Sequence, residues 1–449
     1  MTENSSASAV TTNACKQCAP LGATVAFKGI EGAMPFIHGG QGCATYIRRY
    51  LISHFKEPVD VASSSFSDDT AIFGGESNLR VGLDNVARKY APSLIGVSTT
   101  CLAETIGENL PAIMRRHLES KQGAAFPLLA PVSTPSYRGT HVDGFNAVVR
   151  AVIEQRASAS DRCGGVNVLP GFVSCADLRH LKEIIGSFDI PYTLLPDYSD
   201  TLDAPTQSDY VPLADGGTTL AEIAAMAGRD ATIQMSRTLA PEASGGSWLA
   251  ENRGVPLHTL GLPIGIRETD RLVDLLSGLT GRDATKWLIG ERGRLIDAYI
   301  DGHKYVFEKK VAIYGEEDLV AGLTSLVAEI GMTPVLCASG GASGKLAAAI
   351  RSVAPNCTPV VREGADFKAI TDELRALKPD LMIGNSKGYK TARELGVPLV
   401  RAGFPIHDRI GGSRLLHLGY RGAQRLFDEI VNTLIARTQD ESPVGYSYM

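Results

Sequence analysis

The sequence predicts an α/β protein built from three successive units, each a parallel sheet flanked by helices. Two observations carry that expectation. From about Asn85 onward, short apolar runs alternate with stretches of helical patterning, and strands alternating with helices of roughly 10–15 residues pack as parallel sheets with helices on their faces. The chain's 449 residues also exceed one ordinary core; at roughly 150 residues per domain they amount to about three. In chain order, Ser93–Thr99 (SLIGVST) reads as a buried strand. Gly165–Leu169 is another, followed by a Gly-Phe turn and a helix over Ala176–Gly186. Lys310–Tyr314 (KVAIY) runs into Gly315 and a helix through Ile330, and Pro334–Cys337, Asp380–Ile383 and Val397–Arg401 repeat the pattern. Residues 1–14 are polar and read as a disordered tail, and Asp200–Gly217 as a long surface loop. The expected units span 15–160, 161–305 and 306–449, the last with a C-terminal tail.

Composition narrows the function classes. Lys and Arg number 44 against 49 Asp and Glu, a formal net charge of −5, which argues against a basic nucleic-acid binder and against a polyanionic tail. No apolar run approaches the roughly 18–20 residues of a bilayer span. The start, Met-Thr-Glu-Asn-Ser-Ser, lacks the basic and apolar segments of a secretory signal. A cytoplasmic protein with no membrane or nucleic-acid partner is expected. The chain contains neither G-x-G-x-x-G nor G-x-x-x-x-G-K-[ST]. The strand–Gly–helix junction at Tyr314-Gly315-Glu316-Glu317-Asp318 carries three carboxylates that would repel a phosphate, so no nucleotide is expected in this chain.

Eight cysteines are too sparse for a disulfide scaffold, yet Cys15, Cys18, Cys43 and Cys101 cluster in the first quarter. Cys18 leads Cys-Ala-Pro-Leu-Gly-Ala, Cys43 ends His38-Gly-Gly-Gln-Gly-Cys, and Cys101 lies just past a strand in Ser-Thr-Thr-Cys. Iron–sulfur ligation needs strand-end or loop thiolates with small neighbours, so that backbone N–H groups reach the sulfurs; Gly39, Gly40 and Gly42 supply such neighbours. Three buried, inert cysteines are the competing reading. Zinc is disfavoured because the 25- and 58-residue spacings fit no compact knuckle. Three ligands do not close a site, so either Cys15 is a fourth or a partner chain completes it.

The run CAPLGATVAFKGIEGAMPFIHGGQGCATYIRRYLISHFKEPVDVASSSFSDDTAIFGG, with STTCLAETIGEN, GLPIGIRETD, ERGRLIDAYIDGH, KPDLMIGNS and VPLVRAGFPIHDR, resembles the component 1 proteins of nitrogenase and nitrogenase-like reductases. The resemblance runs from about Cys15 to Arg437, and ERGRLIDAYIDGH and STPSYRGTHVDGF are similar to the β-type (K/N-like) chain. It implies three Rossmann-like domains and an α-type (D/E-like) partner subunit, usually doubled to α2β2. It also implies an ATP-hydrolysing homodimeric iron protein as electron donor. Cys18, Cys43 and Cys101 match the β ligands of an 8Fe-7S P-cluster shared with the α subunit, and Cys15 has no ligand counterpart. Ser136 matches a serine that in some β chains ligates the oxidised cluster, its other reading being a turn hydroxyl. Gly42, Tyr46 and Arg48 fall around the cluster. Phe73, Gly74 and Gly75 resemble the patch where the iron protein docks; a buried aromatic is the other reading of Phe73. His38 and His54 read either as donors to cluster sulfur or as satisfied structural histidines. Asp68-Asp69 reads as a solvated helix start.

Three members of the family are open to the sequence. The first is an oxidoreductase relay subunit, for which methylthio-alkane reductase, cleaving C–S bonds, is the best match. The second is the scaffold chain for nitrogenase cofactor assembly, with a 4Fe-4S cluster. The third is a dinitrogen-reducing β subunit, against which the sequence sets Cys18 lying close to Met1 where molybdenum β chains carry a long extension. No catalytic residue is expected in this chain, since substrate chemistry belongs to the partner's cofactor.

Overall fold

The computed structural model describes residues 11–444 apart from 122, 124, 159, 160, 207 and 210. Its strands form three all-parallel sheets. The first contains β1 (Ala33–His38), β2 (Ala62–Ser63), β3 (Leu94–Thr99) and β4 (Leu128–Val132) in the order β2-β1-β3-β4. The second contains β5 (Val166–Leu169), β6 (Tyr192–Leu194), β7 (Ala231–Met235) and β8 (Leu257–Leu260) in the order β6-β5-β7-β8. The third contains β9 (Lys310–Gly315), β10 (Thr333–Ser339), β11 (Val360–Arg362), β12 (Leu381–Gly384) and β13 (Leu399–Arg401) in the order β11-β10-β9-β12-β13. The expected α/β class is therefore observed, because continuous apolar runs such as Leu94–Thr99 are buried along their whole length between helical layers. In each sheet the chain winds outward on one side, then crosses to the other. This leaves a crevice at the carboxyl ends where the direction reverses.

In the first unit β1 and β3 pair in register from Ala33↔Leu94 to His38↔Thr99, so the loops after His38 and Thr99 emerge side by side. Helix α1 (Ala19–Lys28) is buried along its whole length, Pro20 fixing its first turn. It crosses α7 (His141–Arg156) at a distance set by glycines on both helices: a Cβ on Gly22 would lie 1.7 Å from the His141 carbonyl oxygen, and one on Gly144 1.9 Å from that of Ala19. Between them run α2 (Gln41–Phe55), α3 (Asp68–Phe73), α4 (Glu76–Tyr90), α5 (Cys101–Thr105) and α6 (Leu110–Ser120).

Two chain ends cross between units. Residues 1–10 of the expected tail lie outside the described residues, whereas Thr12 donates to Asp366, Phe367 donates to the Asn13 carbonyl, and Ala14 bridges to Asp366 on the third unit. Those three residues are therefore tied down, Thr12 by the Asp366 carboxylate and Asn13 and Ala14 by backbone pairing. The helix Gly419–Glu441 packs on Lys286–Val306, where Gly302 makes room for the Phe427 ring. The Asp200–Gly217 segment is not wholly surface: Thr201 and Leu202 are buried, Thr201 donating to the Lys28 carbonyl. Among the described residues no helix is long and apolar enough to cross a membrane.

The three units meet at an aromatic junction. Phe404 stacks on His54, on Phe172 and on His141, with centroids 4.7, 5.4 and 5.7 Å apart. His54 is buried and its Nδ1 accepts the Ile406 N–H at 2.9 Å, tying α2 to the third unit. Burial pushes the imidazolium pKa down to about 3. A folded pKa below the unfolded one means that this group's contribution is intact above about pH 6.5 and is lost as pH falls from there toward 3. Replacing His54 with Gln keeps an acceptor for Ile406 and removes the titration. Denaturant unfolding followed from pH 7 to 4 should show a shallower acid loss for H54Q than for wild type, by up to ~1.4 kcal/mol per pH unit. Identical slopes would mean that His54 is not the group responsible.

Candidate functional site

Cys18, Cys43 and Cys101 come from three separate segments. Cys18 caps the N-terminus of α1, Cys43 lies in the first turn of α2 after β1, and Cys101 opens α5 after β3. Their convergence follows from the in-register end of β1 and β3 and from a tight contact between the following loops. A Cβ on Gly39 would sit 2.0 Å from Thr100 Oγ1, so only glycine fits there. Thr100 donates both its N–H (3.1 Å) and its hydroxyl (3.2 Å) to the His38 carbonyl, locking the loops together.

Ser136 joins the trio. Its N–H donates to Cys101 Sγ at 3.3 Å and its Oγ accepts the Ala19 N–H at 3.3 Å, so one residue touches the segments of Cys101 and Cys18. Thr134 holds this strap to the end of β3 through the Thr99 carbonyl at 2.7 Å. Burial pushes the Cys18 thiol up to about 11, and Cys43 and Cys101 add to the rise; burial also raises Cys43, with Cys101 contributing. As three thiolates they would repel, unless a cation compensates them.

The trio opens to one side. Cys43 is exposed, and a Cβ on Gly40 or Gly42 would meet nothing within 4 Å. Unlike Gly39, these two glycines are not required by packing within this chain; they leave clear the face that a cluster or partner would occupy. Among the described residues no group of three His, Cys, Asp or Glu side chains is gathered as a single metal ion demands. Three thiols that feel one another across an open face match the donor set of a larger polynuclear cluster, with its remaining ligands supplied from outside. Gln17, buried and adjacent to Cys18, carries an unpartnered amide nitrogen while its oxygen accepts the Tyr46 hydroxyl at 3.3 Å. Its spare polar group fits a site made for a group absent from this chain.

Tyr46 is thus brought beside the Cys18 segment. Arg48 is directed elsewhere, its Nε donating to the Val59 carbonyl at 3.0 Å. Cys15 is apart from the trio: it is buried in the third unit's core beside Tyr314 and lines an inter-unit cleft of about 360 Å³, with its thiol pushed up to about 12 by burial. His38 and His54 are both satisfied structural histidines. His38 Nδ1 pairs with Ser64 Oγ at 3.1 Å and its Nε2 with Glu108, and burial lowers its pKa. Neither imidazole has a ring nitrogen bonded to a cysteine. Asp68 and Asp69 sit exposed in the first turn of α3 behind the Ser67–Thr70 capping box.

Phe73 ends α3 with 84% of its surface exposed, beside Ile72 at 74%, so its reading as a buried aromatic is overturned. The two glycines that follow have internal reasons. Gly74 adopts φ +91°, and a Cβ on Gly75 would overlap the Phe66 ring at 2.2 Å.

Sequence reasoning missed the carboxylates that tie the units together. Glu316 meets His141 at 3.0 Å and Asp318 accepts from Ser236, Arg237 and Thr238, while Glu317 between them accepts the Ser343 N–H within the third unit. The acidic run after β9 was the available signal, but the partners of Glu316 and Asp318 lie about 80 to 175 residues away along the chain.

The family model described as nitrogenase component 1 type oxidoreductase matches residues 18–435. The nitrogenase molybdenum-iron protein beta chain of Clostridium pasteurianum is 36% identical over 96% of this chain and 94% of its own length. That of Azotobacter vinelandii is 35% identical over 97% of this chain and 86% of its own. A solved chain titled "Nitrogenase Cp1 at pH 6.5" superposes with a TM-score of 0.94 at 34% identity, covering 100% of this chain and 98% of that one. The chain belongs to the nitrogenase component 1 type oxidoreductase family, as a β-chain-like subunit of an oxidoreductase complex.

Proposed function

We propose that this chain is the β subunit of a two-component nitrogenase-like reductase. It passes electrons from an ATP-hydrolysing homodimeric iron protein, through a cluster shared with an α subunit, to the cofactor of that subunit. The observation that carries the reading is the convergence of Cys18, Cys43 and Cys101 at the crevice of the first sheet, with one side open. Cys18, Cys43 and Cys101 would hold the 8Fe-7S P-cluster as thiolates, with three cysteines of the α partner on the open side. When bound, such a cluster supplies a reversible store of electrons. The residues of this chain fix its place. Ser136 N–H steadies the Cys101 sulfur, and the Ser136 hydroxyl would be an additional ligand to the oxidised cluster. Phe73 and Ile72 supply the flat apolar anchor of a transient donor interface.

The complete cysteine set favours this relay over the scaffold reading with a 4Fe-4S cluster. The substrate is chosen by the α partner's cofactor pocket. The relatives are named nitrogenase molybdenum-iron protein beta chains, which supports dinitrogen reduction about as well as the methylthio-alkane reductase reading. Assaying the assembled complex with its donor on dinitrogen and on a small methylthio-alkane separates the two.

Two measurements test the parts. Purified anaerobically with its α partner, the wild type should give the iron content and electron paramagnetic resonance signature of an 8Fe-7S cluster. Cys43→Ala or Cys101→Ala should remove or shrink it. Full iron occupancy in both variants would sink the ligand assignment, and a four-iron signal in the wild type would favour the scaffold. Separately, Phe73→Ala should leave melting temperature and iron content unchanged while weakening donor binding by about thirty-fold, the ~2 kcal/mol of a truncated anchor. A stable variant with undiminished donor affinity would reject this docking surface.

A further inference from the structure

We propose that Glu108 is a positioning residue that couples donor docking at the Phe73 turn to the cysteine pocket. The inference rests on the docking and cluster readings above. It concerns a carboxylate that neither reading uses.

Glu108 follows α5 in the loop before α6, and its side chain is only 8% exposed. A carboxylate that deep needs partners for both oxygens, and these come from two different segments. Oε1 accepts the N–H of Gly75, in the turn directly after Phe73, and Oε2 pairs with Nε2 of the fully buried His38 at the end of β1. From His38 the connections lead straight to the cysteine loops. Ser64 Oγ contacts His38 Nδ1 at 3.1 Å and accepts the Gly39 N–H at 2.9 Å, four residues before Cys43. The His38 carbonyl accepts the Thr100 N–H at 3.1 Å, directly before Cys101.

A second contact runs in parallel. The Phe66 ring meets His38 edge-on, with centroids 4.9 Å apart and planes at 88°, and the same ring occupies the space a side chain at Gly75 would need. Groups in direct contact of this kind pass a displacement on to one another. A donor that presses on Phe73 and shifts Gly74–Gly75 therefore moves the Glu108 carboxylate and the Phe66 ring, and with them His38 and both loops. By linkage, if docking acts on the cluster, then the cluster's oxidation state acts equally on docking.

The test uses the assembled complex with its α partner and the iron protein held by a non-hydrolysable ATP analogue. Iron-protein affinity is measured with the cluster oxidised and with it reduced. The wild type should show a ratio of roughly five-fold or more between the two states, the lower end of ordinary couplings. Glu108→Ala, with iron content verified, should cut the ratio at least in half, the Phe66 contact carrying the remainder. Glu108→Gln, which keeps an acceptor for Gly75 and a polar partner for His38, should preserve most of it. If Glu108→Ala does not fold, Ser64→Ala removes the step from His38 to Gly39 and carries the same expectation. A wild-type ratio near one, or an unchanged ratio in the iron-replete Glu108→Ala or Ser64→Ala complex, overturns the proposal. Undiminished binding by Phe73→Ala would instead withdraw the docking reading and this coupling with it. Weakened binding by Phe73→Ala beside an unchanged ratio in Glu108→Ala withdraws the coupling alone.

Discussion

The imidazole of His141 sits where the three units meet, and both of its nitrogens are committed. Nδ1 accepts the Gln17 N–H at 3.3 Å, which places the proton on Nε2, and Nε2 donates to the Glu316 carboxylate at 3.0 Å. The Gln17 carbonyl in turn accepts the His141 N–H at 3.0 Å, so the residue before Cys18 is clasped on both sides. The ring also packs on Phe172 of the second unit and Phe404 of the third, at 5.0 and 5.7 Å. One side chain thus fixes the turn that presents Cys18 and joins all three sheets. Substituting it would leave a buried carboxylate and a buried amide unpaired at once.

The cysteine crevice depends on that clasp and on the crossover of the first sheet. Cys43 and Cys101 are carried by neighbouring strands whose paired ends fix their separation. Cys18 arrives from a different direction, on a helix held against α7 by Gly22 and Gly144. Rigid elements, rather than loops alone, therefore present the three sulfurs, as a multi-thiolate site requires. Burial of the Cys18 thiol, which pushes its pKa up, is the cost of that placement.

Glycine has two different roles around this site. At Gly39 it permits contact with Thr100 inside the chain, whereas at Gly40 and Gly42 it leaves space outside it. The spacing Gly-Gly-Gln-Gly-Cys suggests close approach at all three positions, but it cannot distinguish an inner contact from an outer opening. That distinction comes from what lies opposite, and Thr100 lies about sixty residues further along the chain.

The sequence by itself determined the local terms. Periodicity and apolar runs located the strands Leu94–Thr99, Val166–Leu169 and Lys310–Gly315 to within a residue or so, because burial on both faces writes a continuous apolar signal. The cysteines and their small neighbours were legible, as was the acidic start of α3, because capping is a near-neighbour effect. Tertiary structure decided every choice between equally plausible local readings. It made His38 and His54 structural by supplying Ser64, Glu108 and Ile406 as partners. It exposed Phe73, buried Cys15 against the third sheet, and turned Arg48 to Val59. A side chain's role depends on which distant groups satisfy its hydrogen bonds and cover its surface. Those groups are brought in by strand order and helix crossing, which no local run of residues encodes.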